Sequence, residues 1–335
     1  MSFIEVKHIN KTFKVPLRSN KKFGALKDFF NRKYKYIEAI KDVSFSIKKG
    51  DIVGYIGPNG AGKSTTIKIL SGILYPDSGS VVIDHMVPYK DRKKYVSNIG
   101  VVFGQRSQLW WDIPAIDSFN LLKDIYKLDE KEYKKSLNEL VELLNLHEIM
   151  NIPVRQLSLG NRMKCEIAAA LIHRPKILFL DEPTIGLDAV SKKIVRDFIK
   201  KINKKNNVTI ILTTHDMADI EALAKRIILI GKGSILYDGT LTTLKNKYDY
   251  LRKITVITND KVNLEDYYIV EQNKIENGIE FKIDIRKIDI NSFIELISSK
   301  VSIKDIDVDS ENLDELIVKL YGDFKIWHHI YRILN

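Results

Sequence analysis

Along the first 240 residues, short apolar runs alternate with stretches whose apolar positions recur every three or four residues. Residues 3–13 (FIEVKHINKTF) and 43–48 (VSFSIK) alternate apolar with polar, as half-buried strands do. Residues 51–56 (DIVGYI) form an apolar strand that runs straight into a glycine-rich loop. Beyond it the pattern predicts a helix over 64–72, strands at 80–84 and 99–103, and a helix-rich stretch over 115–150. In that stretch Leu137, Leu140, Val141 and Leu144 share one face. Strand 177–181, helix 189–204, strand 208–213, helix 217–224 and strands 226–230 and 234–237 follow. Interleaved strands and helices predict an α/β fold, a largely parallel sheet covered by helices. After residue 245 the pattern changes. Strands are expected at 253–258, 266–273, 279–285 and 301–308, with helices at 289–299 and 311–321. That order gives a small α+β domain over 246–322, behind a first domain of 1–245. The aromatic and basic run 323–335 forms an amphipathic tail.

An apolar fraction of 44% with 29% charged residues excludes a mostly disordered chain. One cysteine, Cys165, excludes a disulfide framework and fits a reducing compartment, where it serves as a small core residue. No apolar run approaches 18 residues, and the start MSFIEVKHIN lacks a secretory pattern, so a cytosolic chain without its own anchor is expected. The net charge of +11 is uneven. Residues 251–335 hold 12 basic and 16 acidic side chains, leaving +15 on residues 1–250, and residues 14–41 alone carry +7. Within 14–38, Leu26, Phe29, Phe30 and Tyr34 recur at helical spacing between Lys27, Asp28, Arg32 and Lys33, so a basic amphipathic helix is expected. Such a segment suits nucleic acid, nucleotide phosphates, an anionic membrane surface or plain solvent.

Gly57-Pro-Asn59-Gly60-Ala-Gly62-Lys63-Ser64-Thr65 matches the G-x-x-x-x-G-K-[ST] phosphate loop, between a strand and a helix as that motif requires. Glycines let backbone N–H groups converge on an anion, and the helix N-terminus adds its dipole. Lys63 can reach the β- and γ-phosphates of a nucleotide, and the Ser64 hydroxyl can ligate Mg²⁺. The apolar run 177–180 ends in Asp181-Glu182, where a parallel sheet binds ligands. Asp181 can hold Mg²⁺ through water, leaving Glu182 to polarise an attacking water.

Leu157-Ser158-Leu159-Gly160-Asn161 resembles the LSGGQ-type signature of ABC ATPases, the nucleotide-binding subunits of ABC transporters. Other family elements stand in order: Gln105 resembles the Q-loop glutamine, Asp181-Glu182 the Walker B pair, Gly186-Leu187-Asp188 the D-loop and His215 the switch histidine. The resemblance covers about residues 1–240. It implies a P-loop NTPase fold of the ABC ATPase type, with a RecA-like core, an antiparallel β subdomain and a helical signature subdomain. Two positions depart from the commonest pattern, Leu159 for glycine and Asn161 for glutamine, while Ser158 and Gly160 are kept. Gly104 sets Gln105 one residue further from Gly100 than usual, and Gln108 fits the Q-loop position less well. The resemblance implies ATP and Mg²⁺ as cofactors, the metal held by Ser64, Gln105 and Asp181. It implies nucleotide contacts from Gly57, Asn59, Gly60, Gly62, Lys63, Ser64, Thr65, Gln105 and Asp188. In a head-to-tail homodimer, Ser158 and Gly160 would complete the partner's site, with Lys63, Glu182 and His215 at the reaction centre. Phe13, with Tyr36 as rival, is the aromatic expected to stack on adenine.

Within that family the chain resembles ATPases of the ABC-2 exporter group, through Gly104–Pro114 and the run from Leu159 to Leu171. The expected function is a Mg-dependent ATPase driving export through separate permease subunits, of a drug or other small or cationic compound. Coupling is expected through 105–114, where Trp110 and Trp111 follow the Q-loop. The protein would then sit on the cytoplasmic face of the plasma membrane as a peripheral subunit. The 14–38 insertion is similar to one in polymer exporters, which makes polysaccharide or teichoic-acid-type polymers the alternative cargo. A soluble ABC ATPase acting on nucleic acid or ribosomes is a distant alternative. With one ATPase domain and no room for a coiled coil between Lys63 and Ser158, no nucleic-acid partner is expected.

Overall fold

The structure is a computed structural model that describes residues 2–16, 34–104, 107–260 and 263–324. It divides into two compact units, Met1–Gly239 and Thr240–Asn335.

The first unit runs β1 (Ile4–Pro16), β2 (Tyr34–Ile47), β3 (Ile52–Ile56), α1 (Lys63–Leu70), β4 (Ser78–Ile83), α2 (Arg92–Val96) and β5 (Ile99–Phe103). It continues with α3 (Ala115–Tyr126), α4 (Glu130–Leu144), α5 (Leu159–Leu171), β6 (Ile177–Asp181) and α6 (Ala189–Asn206). It ends with β7 (Thr209–Thr213), α7 (Met217–Leu223), β8 (Arg226–Gly231) and β9 (Ser234–Thr240). Strands order as β5-β6-β7-β3-β8-β9 in one sheet and β2-β1-β4 in another. β5, β6, β7, β3 and β8 pair in parallel, and their near-continuous apolar sequences fit burial on both faces. The second sheet is antiparallel. Its inner residues, among them Ile4, Val6, Ile9 and Val81, share one core cluster with Tyr55, Ile67 and Phe179. A parallel core with an antiparallel flank and a helical stretch between β5 and β6 is the architecture the sequence implied.

The ends of the 14–38 segment differ from expectation. β1 continues to Pro16 and β2 begins at Tyr34, paired Phe13↔Ile37, Lys14↔Tyr36 and Pro16↔Tyr34. Tyr34 is therefore a strand residue rather than part of a helix, with Lys14 Nζ 4.0 Å from its ring centroid. The rest of the expected helix, including Leu26, Phe29 and Phe30, lies outside the described residues, as does the tail beyond Phe324.

The second unit comprises α8 (Leu241–Tyr248), β10 (Leu251–Ile257), β11 (Ile269–Ile275), β12 (Gly278–Asp284), α9 (Ile290–Ser298), β13 (Asp305–Ser310) and α10 (Leu313–Asp323). Its antiparallel sheet, ordered β11-β12-β10-β13, buries Ile254, Val256, Ile279 and Phe281 against Phe293 and Ile297 of α9. Among the described residues no helix is long and apolar enough to cross a membrane.

Candidate active site

β3, β6 and β7 are neighbours in the parallel sheet, and their C-terminal ends open on one side. From β3 the chain turns through Gly57–Gly62 into α1. Gly62, the residue before that helix, has φ +110°, and a Cβ there would lie 2.4 Å from the Ala39 carbonyl of β2. Only glycine suits both the left-handed backbone and the space. Lys63 is 6% exposed, its Nζ donating to the Gly57 carbonyl at 2.6 Å and the Pro58 carbonyl at 3.1 Å. Burial lowers its pKa, opposed by the charges of Glu182 and Asp181. The ammonium thus sits within its own loop, close to both carboxylates. Asn59 and Gly60 are exposed at the loop's tip, Ser64 is exposed and Thr65 half-buried early in α1.

Ser64, Asp181, Glu182, Phe103, Gly104 and Lys68 line a cleft of about 320 Å³. Thr213 Oγ1 donates to Asp181 Oδ1 at 2.5 Å, tying the ends of β6 and β7. Glu182 has φ +57°, and its N–H donates to the Thr213 carbonyl at 2.9 Å. His215 Nε2 stands 2.5 Å from Glu182 Oε1. The geometry therefore brings Lys63, Ser64, Asp181, Glu182 and His215 to one edge of the sheet, where a phosphate, a hard cation and a polarised water can meet.

Ser158 is exposed at the N-cap of α5, its Oγ accepting from the Asn161 N–H at 3.2 Å. Gly160 is buried, and a Cβ there would meet Ser191 Oγ at 2.5 Å. Asp188 caps α6, accepting from the Ser191 N–H at 2.9 Å and Oγ at 2.7 Å; these bonds hold its carboxyl below the usual range. Within one chain Gly160 thus faces α6, and Ser158 is left exposed. Phe13 is half-buried with Lys11 Nζ 5.8 Å from its ring centroid, while Tyr36 is 65% exposed. Gln105 lies outside the described residues. Gln108 is committed elsewhere, its side-chain amide donating to the Glu166 carbonyl at 2.9 Å. Trp110 and Trp111 are 44% and 49% exposed, with the Arg162 guanidinium 5.5 Å from the Trp111 ring. Cys165 is buried, and burial raises its pKa to about 12.

Sequence reasoning missed two buried carboxylates of the first unit. Glu166, on the otherwise apolar face of α5, accepts from Ser107 Oγ and from the Gln108 N–H at 3.1 Å. It fastens residues 107–108 to the signature helix, and burial raises its pKa. Asp219, on α7, is completely buried. Neither has a local sequence signal, because an acidic residue in a helix ordinarily reads as a solvated position.

A family profile described as ABC transporter matches residues 40–185. The chain is 36% identical over 215 residues to "ABC transporter ATP-binding protein NatA" of Bacillus subtilis, a match covering 64% of this chain and 87% of NatA. It is 32% identical over 292 residues to "Linearmycin resistance ATP-binding protein LnrL" of the same organism, covering 84% of this chain and 93% of LnrL. Among solved structures, the ATP-binding cassette MJ0796, a dimer in a post-hydrolysis state bound to ADP and Pi, superposes with a TM-score of 0.59 at 27% identity, over 71% of this chain and 98% of MJ0796. The fold, the ordered motifs and relatives matched over nearly their whole length agree: the chain belongs to the ABC transporter ATP-binding proteins and is an ATP-hydrolysing cassette of that family.

Proposed function

We propose that the chain is the ATPase subunit of an ABC-2-type exporter, working as a homodimer on separate permease subunits at the cytoplasmic face of the membrane and moving a drug or other small compound. The observation that carries the hydrolytic part is that Ser64, Asp181 and Glu182 line one cleft, with Lys63 buried close to both carboxylates and His215 paired with Glu182. Backbone N–H groups of the phosphate loop and the N-terminus of α1 bind the β-phosphate, and Lys63 turns from its loop carbonyls onto the β- and γ-oxygens. The Ser64 hydroxyl and the Asp181 carboxylate are hard oxygen donors on the same cleft, a set that suits Mg²⁺ with its remaining waters kept. When bound, Mg²⁺ neutralises charge on the β- and γ-phosphates. Glu182 polarises the attacking water, and the His215 ring holds the Glu182 carboxylate in place. Ser158, exposed at a helix N-terminus, and Gly160 beside it serve the γ-phosphate held by the partner subunit. Asp188 caps the helix against which that signature packs.

Export of a small compound is supported by the extent of the match to LnrL. Its 292 aligned residues exceed the first unit of this chain, so the likeness enters the second unit too. Exposed Trp110 and Trp111, on a segment tied to α5 by Glu166, suit the permease contact. In Glu182→Gln, ATP hydrolysis is expected to fall to background while the ATP-bound dimer accumulates on gel filtration; parental turnover would remove Glu182 from its assigned role. Purification of the tagged protein from detergent-solubilised membranes is expected to bring down a polytopic partner in stoichiometric amount. Recovery with ribosomes or DNA would refute the exporter reading.

A further inference from the structure

Behind the Glu182–His215 pair lies a carboxylate to which the roles assigned above give no part. Asp219 has no exposed surface. Its Oδ1 pairs with Arg196 Nε of α6 at 2.5 Å, and its Oδ2 accepts from Thr214 Oγ1 at 3.1 Å and from Thr184 Oγ1. The donors come from three separate segments: the loop after β6, the loop after β7, and α6. Thr184 follows Glu182 by two residues, and Thr214 immediately precedes His215. Thr214 Oγ1 also accepts from the Asp216 N–H at 3.0 Å. Asp216 in turn is paired with Lys192 at 2.5 Å and Arg196 at 3.5 Å. Glu182 itself holds a left-handed φ of +57°, which a residue other than glycine keeps only where its surroundings impose it.

We propose that Asp219 is a positioning residue for ATP hydrolysis: it ties the loop carrying Glu182 to the loop carrying His215, so that the two side chains stay in register on the attacking water. This rests on the roles assigned above to Glu182 and His215. A carboxylate that merely neutralised Arg196 would need no hydroxyl from either loop. The two threonine hydroxyls make Asp219 a common anchor for both loops.

The test uses Thr184→Val, which removes one hydroxyl while keeping the shape, and Thr184→Ser, which restores it. Asp219→Asn is the more severe variant, and Thr184→Val keeps the proposal falsifiable if that protein does not fold. Thr184→Val is expected to lower kcat by about tenfold or more, the size typical of losing a group that orients a functional side chain. The KM for ATP and the affinity for a fluorescent ATP analogue should stay within about twofold, and Thr184→Ser should recover most of the rate. In a Glu182→Gln background the same substitution should lower turnover no further, because the group it acts through is already gone. Parental kcat in Thr184→Val, or an equal loss of ATP affinity and kcat, would overturn the proposal. Parental hydrolysis by Glu182→Gln alone would instead overturn the assignment of the pair, so the two failures are told apart.

Discussion

Replacing Gly104 with alanine measures how far turnover depends on the placement of Glu182. Gly104 leaves β5 beside β6, and its N–H donates to the Asp181 carbonyl at 2.8 Å. A Cβ at this position would stand 2.5 Å from the Glu182 carbonyl oxygen and 3.0 Å from that of Asp181. Both obstacles are backbone, so no side chain can swing aside. Ordinary contact begins at 3.4 Å, so relief requires the two segments to part by about 0.9 Å. Retreat of residue 104 stretches a half-buried backbone hydrogen bond whose net contribution is about 1 kcal/mol. Retreat of Glu182 shifts its carboxylate against Lys63 and Ser64. A misplacement of about 1 Å at a reacting group costs on the order of 100-fold in rate, equivalent to about 2.7 kcal/mol of transition-state stabilisation.

ATP binding should suffer far less than turnover, because the phosphate loop hangs from β3, which β6 and β7 separate from β5, even though Gly104 shares its cleft with Ser64. The expected outcome for Gly104→Ala is a kcat reduced by about 100-fold with ATP affinity changed by no more than about threefold. Phosphate release under steady state, a nucleotide-analogue titration and a thermal melt supply the three readouts. A folded variant within about threefold of parental kcat would refute the reasoning, since Glu182 would then tolerate the displacement. So would a parallel collapse of binding and rate, which would mark general damage.

Two further outcomes follow from side chains away from the reaction centre. His173 Nε2 donates to the Ile99 carbonyl at 2.9 Å and its ring stacks on Tyr126 with centroids 3.9 Å apart; burial pushes its pKa down to about 4. The unfolded chain, titrating near 6.5, binds the extra proton first, so this site's stability is intact above pH 6.5 and is lost as pH falls toward 4, by on the order of 3 kcal/mol in all. Denaturant unfolding at pH 7, 5.5 and 4.5 should show a steeper loss for the parent than for His173→Phe, and equal slopes would contradict the assignment. For adenine stacking, Phe13→Ala should weaken ATP binding by about 1–3 kcal/mol in a nucleotide titration, with Tyr36→Ala near parental; the opposite pattern would transfer the role to Tyr36.

What the sequence made legible was local. The phosphate loop, the strand ending in Asp181-Glu182 and the signature each combine a distinctive residue string with an adjacent apolar run, and each sits on the element expected of it. The central strands after residue 245 were legible for a similar reason: β10 and β12 bury alternate residues in a core, whereas the edge strands β11 and β13 are largely exposed. The start of β2 was not. Residues 34–38 are exposed and pair with β1 alone, so the ribbon has no buried face to impose an alternation, and Tyr34 was absorbed into a helical spacing. Asp219 and Glu166 were illegible for a different reason. Their partners stand 35 and 59 positions away, Thr184 and Ser107, and only the folded packing makes those carboxylates buried rather than solvated.

The same packing accommodates the uncommon leucine of the signature. Leu159 Cδ2 lies 2.9 Å from where a Cβ on Gly186 would be, and Gly160 faces Ser191 so closely that a methyl group would not fit. The start of α5 therefore rests on the loop that leads from Glu182 and on the first turn of α6. From α6, Lys192 reaches Asp216 and Arg196 reaches both Asp216 and Asp219. Asp219 in turn holds the threonines beside Glu182 and His215. A contiguous run of contacts thus joins the exposed signature of one chain to the Glu182–His215 pair of that same chain, through a helix that both ends touch. In the proposed dimer, a displacement of Ser158 on closing over a partner's nucleotide would reach α6 through Gly160 and Ser191. The leucine enlarges that contact beyond what a glycine at position 159 could make, so the departure from the common signature adds a packing surface on this path and leaves the residues that cap the helix unchanged.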